Sequence, residues 1–175
     1  MAERGTLFLT GASGHTGCRM ARRLLNDGWR LRCLSHTRAH RHLIPNPDRV
    51  EIIRGNLFEP EGLARHISGC TAVIHMAHVG FTPAVINLCE LGGVRRMICL
   101  SSTRRFTRYQ GETSRRVIVG ERALEQSSLD FTVLRSTMIF GGCRDRNIEK
   151  IVHWLKRCRF MPLIRGGQNL LQPVF

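Results

Sequence analysis

Thr6-Leu7-Phe8-Leu9-Thr10-Gly11-Ala12-Ser13-Gly14-His15-Thr16-Gly17 joins an apolar run to a glycine-spaced turn, and Cys18 to Leu25 then continues as a helical stretch. This strand, turn and helix in sequence decide the fold. Gly11 can take the backbone angles of a sharp strand-to-helix turn, Gly14 lets the main chain approach a ligand with no Cβ in the way, and Gly17 allows close helix packing. The helix opened by the turn directs its free N–H groups at an anion. Glycines also serve ordinary turns, so the trio gains its meaning from the strand before it and the helix after it. In that setting it reads as a site for the pyrophosphate of a dinucleotide.

Around this segment, apolar strand-like runs alternate with helix-like runs, the mark of a parallel sheet covered on both faces. Strands are expected at Thr6–Thr10, Leu31–Leu34, Val50–Ile53, Ala72–Met76, Met97–Leu100 and Phe131–Leu134. Helices are expected at His15–Asp27, Pro60–Ser68, Pro83–Leu91, Arg116–Gln126 and Ile148–Arg157. Gly28, Gly69 and Gly92-Gly93 stand where the first three should end. The fold class is therefore α/β: a doubly wound parallel sheet of Rossmann type, with a strand order of 3-2-1-4-5-6 expected by analogy with dinucleotide-binding folds. No repeat or low-complexity linker interrupts it.

The 175 residues form one domain by length, and a chain of this size buries about 70% of its unfolded surface. Its seven cysteines are an odd number without a Cys-x-x-Cys pair, and several lie in apolar runs. Free thiols acting as small hydrophobes, in a reducing cytoplasm, are expected. No leader segment precedes the glycine turn and no stretch is long enough to span a bilayer, so no membrane association is expected. The net charge of +14 raises the possibility of nucleic-acid binding. However, only Lys150 and Lys156 among the 27 basic residues are lysine, and the arginines are dispersed in ones and twos, as on solvated faces. Nucleic acid is thus the third reading, behind a dinucleotide.

The chain also resembles the short-chain dehydrogenase/reductase superfamily, in its extended and atypical branch of nucleoside-diphosphate-sugar epimerase-like and nitrogen-metabolite-repression-regulator-like proteins. The residues from Thr10 to Gly17 resemble that branch's Thr-Gly-x-x-Gly-x-x-Gly turn. Arg54-Gly55-Asn56-Leu57 resembles its Gly-Asp-Leu after the third strand, with Asn56 in the place of an adenine-contacting Asp. Ala72-Val73-Ile74-His75-Met76-Ala77-His78 resembles the fourth strand, and Cys99-Leu100-Ser101-Ser102-Thr103 the fifth with its Ser-Ser end. Phe131 to Arg135, followed by Met138-Ile139-Phe140-Gly141, resembles the sixth strand and the loop after it. The match runs from about residue 5 to the last residue. It implies that Gly11, Ser13, Gly14, His15, Thr16 and Gly17 hold the pyrophosphate, that Asn56 and Leu57 hold the adenine, and that Ala77, His78 and Ser101 line the nicotinamide side. It also implies a separate C-terminal substrate lobe. The chain ends at Phe175 within the apolar run Leu170 to Phe175, so it is expected to be a fragment or a short form without that lobe.

Family enzymes use a Tyr-x-x-x-Lys dyad, in which the lysine lowers the tyrosine pKa so that the phenol exchanges a proton while hydride moves. Glu121 resembles the acidic residue four positions after that lysine. Counting back places Val117 at the lysine and Thr113 at the tyrosine, and neither side chain can do the chemistry. Tyr109, the only tyrosine, lies four residues earlier and reads as a loop aromatic. Ser102 matches the catalytic hydroxyl and is the one candidate catalytic residue. The Ser102–Glu121 connection is short for the family.

Cofactor preference reads from the second strand. NAD sites place an acidic residue near its end to bind the ribose hydroxyls, and NADP sites place basic ones. No acidic residue occurs between Asp27 and Asp48, whereas His36 and Arg38 lie just past the strand. NADP is expected, with NAD the alternative. The histidines show no metal-ligand spacing with a carboxylate, and His36, His40 and His42 read as solvated, so no metal is expected. Asn147 reads as the N-cap of the last helix. Cys18, in the first turn of the phosphate helix, reads as a packing residue. Two functions stay open: an epimerase or reductase-like enzyme with impaired acid–base groups, acting on a small-molecule substrate, or a non-catalytic dinucleotide-binding redox sensor or regulatory module.

Overall fold

A computed structural model describes residues 4–36, 47–141, 148–158, 160 and 172–174. Within the unit Met1–Arg135 the first expected strand is β1 (Thr6–Thr10), followed by α1 (His15–Asn26), β2 (Arg30–Ser35) and β3 (Val50–Arg54). There follow α2 (Pro60–Ile67), β4 (Ala72–His75), α3 (Thr82–Gly92), β5 (Arg96–Ser102), α4 (Glu112–Glu125) and β6, which runs Asp130–Ser136. The six strands form one sheet in the order β3-β2-β1-β4-β5-β6, the order expected from sequence. β1 pairs in parallel with β2 and β4, β2 with β3, and β4 with β5. β6 is tied to β5 by the Asp130 amide on the Arg95 carbonyl (2.8 Å) and by Arg96 donating to Asp130 and Thr132.

The period-two alternation of the strands builds two cores, one on each face. Phe8 and Val73 face one way, into a cluster with Leu63, Ile67, Leu88, Val117 and Leu124 from α2, α3 and α4. Leu7, Leu9, Leu31, Cys33 and Ile74 face the other way and pack on Ala21 and Leu25 of α1. Cys33, Cys89 and Cys99 lie in these cores as small hydrophobes. Burial pushes the Cys33 and Cys89 thiols up to about 12 and the Cys99 thiol up to about 11. Among the described residues the cysteines are free thiols.

Helix ends account for part of the arginine content. Arg49 donates to the Gly28 carbonyl at 2.7 Å, past the end of α1, and Arg32 donates to the His66 and Ser68 carbonyls at 3.0 Å, at the end of α2. Cations at these carbonyl-rich ends complement the helix dipole. The helices end at or near the expected glycines, with Gly28, Gly69 and Gly93 at positive φ. Most boundaries fall within two residues of expectation, and the largest difference is that α4 begins at Glu112, four residues before the expected Arg116. Gly111 stands at its N-cap in extended backbone and Glu112 places a carboxylate in the first turn, so the Thr113–Ser114 stretch is helix rather than loop.

The unit Ser136–Phe175 contains α5 (Ile148–Cys158), which matches the last expected helix. Val174 bridges Ile139 in parallel, with Phe140 donating to the Val174 carbonyl and Val174 to that of Met138, both at 2.9 Å. The expected cap Asn147 lies outside the described residues. No helix among the described residues is long and apolar enough to cross a membrane.

Candidate functional site

The glycine turn sits at the carboxyl end of β1, pressed against the end of β4. Gly11 adopts φ +70°, and a Cβ there would stand 2.5 to 2.7 Å from Ala77 N and the Met76 carbonyl group. A Cβ on Gly17 would overlap the Gly11 carbonyl oxygen, so this glycine closes the helix onto the turn rather than onto the strand. Gly14 is different. It is the N-cap of α1 at φ −70°, and an added Cβ would meet only the Gly11 oxygen, at 3.2 Å. No side chain caps α1, and its first-turn N–H groups have no carbonyl one turn earlier to accept from them. His15 and Thr16 lie in that first turn. An anion of the size of a phosphate fits this cradle, because the first turn offers donors and Gly14 offers space.

Beneath the turn, Thr10 and His75 join the ends of β1 and β4. The Ala77 amide approaches the Thr10 hydroxyl oxygen at 3.5 Å, and that hydroxyl shares a hydrogen bond of 2.6 Å with His75 Nδ1. The His75 imidazole is completely buried, and burial lowers its pKa to about 4. It is therefore a neutral ring, joined through Nδ1 to the Thr10 hydroxyl.

A cleft of about 440 Å³ opens beside the turn, lined by Gly11, Ser13, Leu34, Ser35, His36, Gly55, Asn56, Leu57, Phe58, Ala77 and Phe81. It brings together six of the residues selected from sequence: Gly11, Ser13, His36, Asn56, Leu57 and Ala77. Arg38 lies outside the described residues. Phe58 and Phe81 were not selected from sequence. Their rings stand edge to face at 5.7 Å, and Phe58 is 70% exposed. An apolar ring placed immediately after Asn56-Leu57, in a turn with no core to join, was the available signal. The cleft has the composition usual for a small-molecule site, with apolar walls and a few polar groups at the edge.

The remaining selected residues stand apart from this cleft. His78 accepts from the Gly80 amide at 3.0 Å through Nδ1; burial, then the nearby Arg116 charge, lower its pKa. The Ser101 hydroxyl donates to the buried Glu121 carboxylate in a short hydrogen bond. This follows from strand alternation, which turns Ser101 to the same face as Met97 and Cys99. Arg135 grips the same carboxylate through Nε and Nη2 at 2.8 to 3.1 Å, and Arg105 approaches it at 3.0 Å. Ser102, the catalytic candidate, accepts from the Arg104 amide at 3.2 Å and so caps the short turn Thr103–Phe106. Val117 is 1% exposed within the core, whereas Thr113 is exposed on the first turn of α4. Tyr109 is 85% exposed and shares with Arg104 and Thr113 a hollow of about 290 Å³ at the start of α4. Among the described residues, no group of three or more His, Cys, Asp or Glu could hold a metal ion.

A family model described as NAD(P)H-binding matches residues 11–150. A ceramide reductase from Caulobacter vibrioides is 38% identical over 74 residues, which are 42% of this chain and 23% of that protein. Among solved structures, the Bordetella bronchiseptica enzyme WbmG in complex with NAD superposes with a TM-score of 0.75 at 17% identity, covering 89% of this chain and 60% of that one. The epimerase Mth375 from Methanothermobacter thermautotrophicus superposes with a TM-score of 0.72 at 18% identity, covering 87% of this chain and 58% of that one. At these identities the likeness carries the fold. The chain spans about a quarter of the reductase and about three fifths of each of the two solved structures.

Proposed function

This chain belongs to the NAD(P)H-binding family, and we propose that it holds NADP(H), in preference to NAD(H), with little or no turnover of its own. The bound dinucleotide would supply hydride chemistry. The chain's residues would hold it, with the pyrophosphate over the first turn of α1 and the adenosine in the cleft between His36 and Phe81. The preference for NADP rests on His36 at the end of β2 and on the absence of any acidic residue between Asp27 and Asp48. There a 2′-phosphate meets no repelling carboxylate. Ser101 is omitted from this site because its hydroxyl is committed to Glu121.

The weak turnover rests on one observation above all. Val117, at the position where the resemblance puts the dyad lysine, is a core residue at 1% exposure. It offers no charge to steady a phenolate, and Thr113 offers no acid of suitable strength. Loss of a positioned proton donor is worth about 10²–10⁴-fold in rate. A dinucleotide-binding redox sensor or regulatory module is the role this supports. A catalytic reading is favoured by the hollow that Tyr109 shares with Thr113, since it puts the only phenol beside the family's acid position.

Fluorescence titration with NADPH and NADH, followed by turnover assays on carbonyl and nucleoside-diphosphate-sugar substrates, tests the proposal. Saturable binding with NADPH favoured, and turnover absent or unchanged in Tyr109→Phe, is expected. Robust reductase activity abolished by Tyr109→Phe would replace the sensor reading with the catalytic one. No binding of either nucleotide at millimolar concentration would remove both.

A further inference from the structure

We propose that α5 is a membrane-surface helix, which lays its apolar side into the headgroup boundary of an anionic bilayer. The proposal goes beyond dinucleotide binding and does not depend on it. At about 100° per residue, Ile148, Ile151, Val152, Trp154, Leu155 and Cys158 fall on one side of α5, in an arc of about 160°. A core helix would bury such a side. Here Ile151, Val152, Trp154 and Leu155 are each at least 40% exposed, and no residue of α5 is buried. The Trp154 indole N–H donates to the Phe160 carbonyl at 2.7 Å, and Phe160 is itself exposed. Trp154 can therefore enter an apolar phase without leaving its polar atom unpaired.

The border of this side says what covers it. Lys150 and Lys156, the only lysines of the chain, fall about 40° outside the arc, one at each edge, with His153 and Arg157 between them on the polar side. Glu149 is the single acidic residue of the helix. A lysine at the edge of an apolar face lays its methylenes along that face and raises its ammonium to the headgroup level, where anionic lipid attracts it. The occupant is therefore apolar within and negative at its surface, as an anionic bilayer is, and an apolar face opposite a basic one is the composition of interfacial helices. A second copy of the chain fits poorly, because a face-to-face pair sets the lysines of one copy beside those of the other. With 11 residues, α5 is about 16 Å long, roughly half the thickness of a bilayer core. It lies along the surface. The want of a spanning stretch, on which the expectation of no membrane association rests, does not bear on such a helix.

Co-sedimentation of the whole chain with phosphatidylcholine vesicles, with and without about one third phosphatidylglycerol, tests this at about 150 mM salt. Binding to the anionic vesicles alone is expected, with a blue shift of Trp154 emission in a Trp29→Phe background, where it is the only tryptophan. Lys150→Gln with Lys156→Gln should weaken binding about tenfold or more. Arg22→Gln with Arg122→Gln removes the same charge from exposed positions on α1 and α4 and should weaken it less than about threefold. Ile151→Ser with Leu155→Ser leaves the charge unchanged and should abolish both sedimentation and shift, at a wild-type urea midpoint because both side chains are exposed. No sedimentation of the wild-type chain with anionic vesicles would overturn the proposal. So would sedimentation with Trp154 emission unmoved, or undiminished in Ile151→Ser with Leu155→Ser, since the attraction would then be one of net charge alone. A Trp154 shift that follows protein concentration without lipid would give this side to a second copy and overturn the bilayer as its occupant.

Discussion

Two residues, Gly14 and Gly17, look alike in the sequence and differ in what they do. A Cβ on Gly17 has nowhere to go but into the Gly11 carbonyl, whereas one on Gly14 reaches 3.2 Å from the same oxygen. Gly17→Ala should therefore cost stability, by about 1–3 kcal/mol as for other overpacked sites, and lower the urea midpoint. Gly14→Val should keep the wild-type midpoint and lose nucleotide binding, since its side chain fills the space over the first turn of α1. If the two variants unfold alike and bind alike, the division of labour is wrong. His75 supplies a second test at this scale. Its folded pKa of about 4 lies below the value of 6.5 of a free imidazole. Above that ordinary value both folded and unfolded states are neutral and the group contributes nothing. As pH falls from there toward 4 the unfolded state takes up a proton that the native state refuses, so stability is lost, reaching on the order of 3 kcal/mol at the lower end. Denaturation midpoints measured between pH 7 and pH 4.5 should fall less steeply in His75→Leu, and identical slopes would rule out this source of acid sensitivity.

At the scale of elements, Glu121 ties α4 to the ends of two strands. It is 1% exposed and draws Ser101 of β5, Arg135 of β6 and Arg105 of the intervening turn to one carboxylate. Removing it in Glu121→Ala leaves two guanidinium groups without their anion. Because both arginines retain contact with water, the expected loss lies toward the low end of about 3–5 kcal/mol; Ser101→Ala, which removes one hydrogen bond, should cost about 1 kcal/mol. Thermal unfolding of the pair checks the ranking, and a larger effect at Ser101 would contradict it. The strands and the helix ends marked by glycine were readable because apolar alternation and turn residues are local signals. The start of α4 was not, since Glu112-Thr113-Ser114 carries no apolar period before Val117 and its entry is set by backbone conformation at Gly111. Ser101 illustrates the reverse case. Its placement on the core face was visible in the alternation of Met97, Cys99 and Ser101, but the family resemblance drew it toward the cofactor. The part played by Phe58 and Phe81 depends on two loops meeting in space, which no local pattern reports.

Across the whole molecule, the strand order places the carboxyl ends of β1, β2, β3 and β4 along one edge, and that edge gathers Gly11, His36, Asn56 and Ala77 into one cleft from positions far apart in the chain. This convergence follows from right-handed parallel connections and was legible as soon as the glycine turn identified β1. Net charge is the other property of this scale. Of the basic residues behind the +14, Arg32 and Arg49 are engaged at helix ends and Arg105 and Arg135 at Glu121. Others, among them Arg23, Arg96 and Arg116, form surface ion pairs, and the net positive charge should attract polyanions with an effect that depends on ionic strength. Counterion release predicts that association with nonspecific DNA, visible at 50 mM salt, falls by orders of magnitude by 200 mM if several phosphates are engaged. On the proposed reading NADPH would be held by a cradle of backbone donors as well as by charge, so its affinity should fall far less over the same range. Parallel titrations of DNA and NADPH at both salt concentrations compare the two directly. DNA binding that persists at 200 mM with a shallow salt slope would mean a specific nucleic-acid surface, and the dispersed arginines would then need a different explanation from solvated faces.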